Sequence, residues 1–149
     1  MNNQLNQWVE FAIGEEEKAF TLYAGLAVKV TDKGAKEMLM DMANMEKGHA
    51  AKLRSFKAGE SSALSSASAA NLKMGEYMVE KPLSENATVQ DVLLFAIQAE
   101  KKAVRLYNDM SSAVTDPSQK DFFVKMAEEE ARHKNSLETA YDDNIFKEN

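Results

Sequence analysis

The sequence predicts an all-α protein: a bundle of four helices, built as two helical hairpins joined by a long crossover. Three observations lead there. The 149 residues include only 6 Gly and 2 Pro, so long stretches run without a helix breaker. Apolar residues recur at three- and four-residue steps, the spacing of one helix face. The pattern also occurs twice. Residues 11–23, FAIGEEEKAFTLY, return as residues 95–107, FAIQAEKKAVRLY, with eight of thirteen positions identical at an offset of 84.

The same offset carries Val30-Thr31-Asp32 onto Val114-Thr115-Asp116, Met42-Ala43 onto Met126-Ala127, Glu46 onto Glu130 and His49 onto His133. An unbroken register makes the two halves equivalent modules, each a helix pair. In the first helix Trp8, Ala12, Ile13, Glu16, Phe20, Tyr23, Ala27 and Val30 form one stripe. Thr31-Asp32-Lys33-Gly34 ends it, and Asp32 is placed to cap the second helix. That helix carries Met38, Met42, Glu46, His49 and Leu53 on its face. In the second module Thr88-Val89-Gln90-Asp91 reads as a helix start. Asp116 before Pro117 is another, with Gln119 spaced to close a capping box. The fourth helix then runs through Phe122, Met126, Glu130, His133 and Leu137. Turns this short set the paired helices antiparallel.

One domain is expected over residues 1–149, with hairpin 1 at about 3–56, a crossover at about 57–87 and hairpin 2 at about 88–141. The crossover shifts to Ser, Ala and Gly, with Pro82 near its end. A helix of ~28 residues is about 42 Å long and an extended chain of ~30 residues reaches ~100 Å, so this segment can return along the whole bundle. A short helix around Asn71 to Met78 fits within it.

Composition excludes several function classes. A net charge of −6 argues against nucleic acid, which needs clustered Lys and Arg. No apolar run approaches the ~20 residues of a membrane span, and no basic amphipathic segment suits a membrane surface. The N-terminus lacks the basic and apolar regions of a secretory signal, so a cytoplasmic location is expected. Without cysteine there is no disulfide, thiolate metal site or iron–sulfur cluster.

The apolar stripes contain polar intruders. Glu16 sits among Ile13, Phe20 and Tyr23, and Glu100 among Ile97, Val104 and Tyr107. Glu46 with His49, and Glu130 with His133, replace two successive core positions on the second and fourth helices. Residues three apart share a helix face, so each Glu-x-x-His pair can reach one point. Four carboxylates facing one core are costly unless cations neutralise them, and two divalent ions supply the matching charge. One Glu from each of two helices and a Glu-x-x-His from each of the others is the donor pattern of dimetal carboxylate bundles. The chain has only two histidines, and both fall in that pattern. Glu16, Glu46, His49, Glu100, Glu130 and His133 are therefore the candidate metal ligands. Oxygen-rich ligation with one imidazole per metal suits two iron or manganese ions better than copper, and zinc could also occupy the site. Within the acidic runs Glu15–Glu17 and Glu128–Glu130, stripe and repeat select Glu16 and Glu130, leaving the others as solvated residues. Tyr23 and Tyr107 lie two turns past their glutamates and are core aromatics or hydrogen-bond partners of the site. Met38, Met40, Met42 and Met45 scatter around their helix and are expected to fill the core. The acidic tail from Asp142 to Glu148 is expected in solvent.

At these residues, the duplicated Glu…Tyr and Glu-x-x-His elements over about residues 5–56 and 89–140, the chain resembles the rubrerythrin branch of the ferritin-like superfamily. The resemblance implies a ferritin-like bundle with a carboxylate-bridged di-iron site that reduces hydrogen peroxide, and a homodimer. Glu46 and Glu130 would bridge the metals, Glu16 and Glu100 would be terminal ligands, and each histidine would cap one metal. Two departures stand out. Rubrerythrins proper carry a four-cysteine rubredoxin-like domain, whereas this sequence has no cysteine. A separate electron donor, such as a rubredoxin-type protein, is then required. They also usually place another glutamate one turn beyond the third helix's ligand, where this sequence has Ala103. The same donor set also serves ferrous-iron oxidation by dioxygen for iron handling, or a metal-binding stress protein without turnover.

Overall fold

The computed structural model describes residues 3–56, 74–77 and 86–143. Four helices account for nearly all of them: α1 (Asn3–Lys29), α2 (Lys33–Ser55), α3 (Val89–Ala113) and α4 (Pro117–Asp142), with one 3₁₀ turn at Met74–Tyr77. The four-helix bundle of two hairpins is thus as the periodicity predicts. Of the expected crossover, residues 57–73 and 78–85 lie outside the described residues; of the proposed short helix at 71–78, the described residues 74–77 form the 3₁₀ turn and the other four lie outside. The tail beyond Asp143 lies outside them too.

Each helix boundary has a local cause. Asp32 accepts a hydrogen bond from the Ala35 amide at 2.8 Å, the expected cap of α2. Thr88 and Asp91 form a reciprocal capping box, with the Asp91 amide donating to Thr88 at 3.1 Å and the Thr88 amide to Asp91 at 3.0 Å. The start of α4 differs from expectation. Asp116 makes no side-chain cap bond, and Gln119 turns inward and is buried. The hydroxyl of Ser118 donates to Asp116 at 2.6 Å instead, and Pro117 presents no amide to cap. At the turns, Lys36 donates to the Ala27 carbonyl at 2.9 Å and Lys120 to the Ser111 carbonyl at 3.1 Å. These two bonds are related by the offset of 84, and each satisfies a carbonyl left free at a helix end.

Backbones pack closely within each hairpin and more loosely between hairpins, where α1 meets α3. Two apolar clusters fill the two ends of the bundle. One includes Leu5, Trp8, Leu53, Leu106, Met110 and Phe123; the other includes Leu26, Leu39, Leu93, Ile97 and Leu137. Each fully buried large side chain contributes about 1.5–3 kcal/mol relative to exposure. The stripe on α4 centres one residue later than the periodicity places it. Phe123 is fully buried while Phe122 is half-buried, as Leu39 and Met38 are at the equivalent positions of α2. Phe20 likewise lies at the edge of its stripe. The 3₁₀ turn is fastened to α3: Tyr77 donates to Asp109 at 2.7 Å, Arg105 pairs with Glu76 at 2.9 Å, and Lys102 donates to the Glu76 carbonyl at 2.7 Å. Tyr77 also packs edge-on against Trp8.

Candidate metal centre

Between the two apolar clusters lies a belt of buried charge. Glu16, Glu46, His49, Glu100, Glu130 and His133 are each no more than 5% exposed, a burial that carboxylates reach only with compensation. All six sequence-selected residues meet there, as two overlapping sets. Glu16, Glu46, His49 and Glu130 offer ligand atoms within 4.8 Å of one another, and so do Glu46, Glu100, Glu130 and His133. Glu46 and Glu130 belong to both sets, while Glu16 and Glu100 belong to one each. The imidazole rings face each other with centroids 6.2 Å apart, nearly parallel.

Both histidines turn Nδ1 inward. His49 Nδ1 lies 2.8 Å from Glu130 and 3.4 Å from Glu16, and His133 Nδ1 lies 2.9 Å from Glu46. These atoms approach without the alignment of hydrogen bonds. One inward atom on each of the six residues has no hydrogen-bond partner: Oε2 of Glu16 and Glu100, Oε1 of Glu46 and Glu130, and both Nδ1 atoms. Six buried, unpartnered donor atoms aimed at a common space fit a metal ion far better than they fit one another. Without cations, protons take their place. Burial first, and then the surrounding carboxylates, push Glu130 well above its ordinary value; burial does the same to Glu46. Burial opposes a charge on His133, but Glu100 and Glu46 outweigh it and raise its pKa from 6.5 to about 10. Glu100 moves the other way: burial is overcome by His133, Glu130 and Tyr23, which hold it below its ordinary value.

The rubrerythrin family model matches residues 1–80 and 91–149. The chain belongs to the rubrerythrin family. A solved structure of a hypothetical protein from Pyrococcus furiosus is similar in fold, with a TM-score of 0.69 over 91% of this chain and 86% of that one, at 22% identity. No curated protein matches this rubrerythrin-family chain.

The tyrosines join the site across the bundle. Tyr107 on α3 donates to Glu16 on α1 at 2.7 Å, and Tyr23 on α1 donates to Glu100 on α3. Each tyrosine thus serves the other module's glutamate, not the one two turns before it. Burial, then the neighbouring carboxylates, keeps both phenols protonated and so able to donate.

Two further contacts escape a stripe-based reading. Glu129, placed among solvated residues by its acidic run, bonds His49 Nε2, and its side chain is only 24% exposed. Met45, expected in the core, is 40% exposed and sets its sulfur 3.3 Å from His133 Nε2. Met40 is also exposed, so of the four methionines only Met42 is buried. The repeat holds the missed signal, since Glu129 and Met45 are partners at the offset of 84.

A cavity of about 190 Å³ between α1 and α3 reaches the belt. Its floor is Glu16, Glu46, Glu100 and Glu130, and its walls include Ala19, Leu22, Phe95, Ala99, Ala103 and Leu106. The alanines leave space where larger side chains would close the seam. Ala103 also removes the family's usual extra carboxylate from that wall. Among the described residues no helix is long and apolar enough to cross a membrane.

Proposed function

We propose that this chain is a di-iron oxidoreductase that reduces hydrogen peroxide, H2O2 + 2e− + 2H+ → 2H2O, with electrons from a separate redox protein of the rubredoxin type. The carrying observation is that two four-residue donor sets overlap at Glu46 and Glu130, an arrangement that suits two adjacent cations. Two adjacent iron ions, when bound, would supply both electrons together, chemistry that would reduce peroxide without releasing a free radical.

The chain's own residues do the rest. Glu16, Glu46, Glu130 and His49 hold one ion; Glu46, Glu100, Glu130 and His133 hold the other. Four carboxylates balance two divalent charges, which removes the cost of burying either alone. Tyr107 and Tyr23 fix the outer carboxylates of Glu16 and Glu100 by donating to them. The cavity is large enough to admit a small oxidant, since a water-sized molecule needs only ~10–15 Å³ of such space. With no cysteine in the sequence, no thiolate-bound relay sits in this chain, and reducing equivalents come from outside.

Stopped-flow mixing of the anaerobic diferrous protein with each oxidant tests this. Faster oxidation by peroxide than by dioxygen, halting after one turnover and resuming when a rubredoxin-type donor is added, is expected. Faster oxidation by dioxygen, followed by uptake of many further iron ions, would replace peroxide reduction with iron handling.

A further inference from the structure

The offset of 84 relates every inner feature of the site to a counterpart: Glu16 to Glu100, Glu46 to Glu130, His49 to His133, and the bond from Tyr107 to Glu16 to the bond from Tyr23 to Glu100. The outer contacts of the histidines obey the same symmetry in position but not in chemistry. His49 Nε2 meets Glu129, and His133 Nε2 meets residue 129's counterpart, Met45. A ring that presents the Nδ1 lone pair inward carries its proton on Nε2. At His49 that proton is donated to a carboxylate. At His133 it faces a thioether, a weak acceptor.

We propose, on the reading that these residues hold two metal ions, that the two positions are inequivalent. The position formed by Glu16, Glu46, Glu130 and His49 binds a divalent cation more tightly than the one formed by Glu46, Glu100, Glu130 and His133, and it fills first. Glu129 is the positioning residue responsible. An acceptor carboxylate fixes the tautomer and orientation of a ligating imidazole and strengthens it as a donor, and loss of such a partner typically costs 10–100-fold in metal affinity. Glu129 sets its carboxylate against His49, where His133 has only the Met45 thioether. Both residues lie at the surface end of the imidazoles, one partly and one substantially exposed, so exchanging them leaves the apolar clusters intact.

The experiment is an anaerobic titration of the metal-free full chain with Co(II), followed by visible absorption and calorimetry. The wild type is expected to fill in two steps separated by about 10- to 100-fold. Glu129→Met should weaken the first step and bring the two together. Met45→Glu should strengthen the second by a similar factor, whereas Met45→Leu should change neither. His133→Ala should keep the tight ion and His49→Ala only the weak one. In the His49→Ala background Glu129→Met should have no further effect, which a general structural role for Glu129 would not produce. Two equal wild-type steps, or a Glu129→Met titration like the wild type's, would overturn the inequivalence while leaving the metal centre standing. A wild type that binds no Co(II) would overturn both.

Discussion

In the hairpin α1–α2 the cap Asp32 accepts from an amide, the outer residue facing the partner histidine is Met45, and the residue before Glu16 is Glu15. In the hairpin α3–α4 the counterparts are Asp116 without a cap bond, Glu129, and Ala99. What the hairpins share is deeper: the six buried carboxylates and imidazoles, the two crossed tyrosine bonds, and the lysines that close Ala27 and Ser111. Among polar groups, resemblance between the halves follows burial, whereas the apolar core differs, as Leu39 against Phe123 shows. Inside, a changed side chain strands a charge or an unpaired donor, at a cost of several kcal/mol. At the rim, water compensates and the halves are free to differ.

The largest effects should come from residues that serve both halves at once. Glu46→Ala or Glu130→Ala removes a donor common to both sets and should cost both ions, whereas Glu16→Ala or Glu100→Ala should cost one. Metal analysis of the purified variants checks this division. Equal losses from all four would mean that the sets are not separable.

Next in size is the pH dependence of the metal-free protein. Glu46, Glu130, His49 and His133 all bind protons more tightly folded than unfolded. Folding takes up those protons, so their contribution is complete below the unfolded values and is lost as pH rises. The window opens near 4.5, the ordinary glutamate value, and extends to about 10, where His133 loses its proton. Glu100 acts oppositely, but only as pH falls through its lowered value. The apo protein should therefore melt at progressively lower temperature across that window. Metal ions compete with the same protons, so they bind better as pH rises. At a hundredfold excess over the dissociation constant they add about 2.7 kcal/mol. The gap between loaded and apo melting temperatures should widen with pH, and a gap that narrows would contradict the buried-belt electrostatics.

The smallest effect compares two helix starts. Asp32→Ala removes a real cap and should cost about 1 kcal/mol in denaturant unfolding, while Asp116→Ala should cost clearly less because its carboxylate holds only the Ser118 hydroxyl.

The sequence disclosed those features that repeat or that break a periodic pattern. Glu16 and Glu100 stand out because a charged residue interrupts an apolar stripe, and the two Glu-x-x-His pairs because they recur at one offset. Pairings across the bundle were not legible, since periodicity gives the face of a helix but not the residue opposite. Tyr23 is two turns from Glu16 in sequence, yet it bonds Glu100. Glu129 was hidden for the same reason: within Glu128–Glu130 it looks solvated until α2 is placed beside it. The shift from Phe122 to Phe123 reflects a stripe wide enough to hold both, with packing against Tyr107 choosing the centre. The capping box expected at Gln119 is absent because Gln119 turns into the core, and Asp116 accepts from Ser118 instead.

The central claim is that these six residues, three from each hairpin, together hold two iron ions. Its most direct test is the metal content of protein isolated from its native host, measured beside the double variant His49→Ala/His133→Ala, with circular dichroism to confirm that helix content is retained. Two iron ions per chain in the wild type, and loss of most of that iron in a variant that keeps its helices, is the expected result. Full metal occupancy in the variant, or a native protein without transition metal, would contradict the claim.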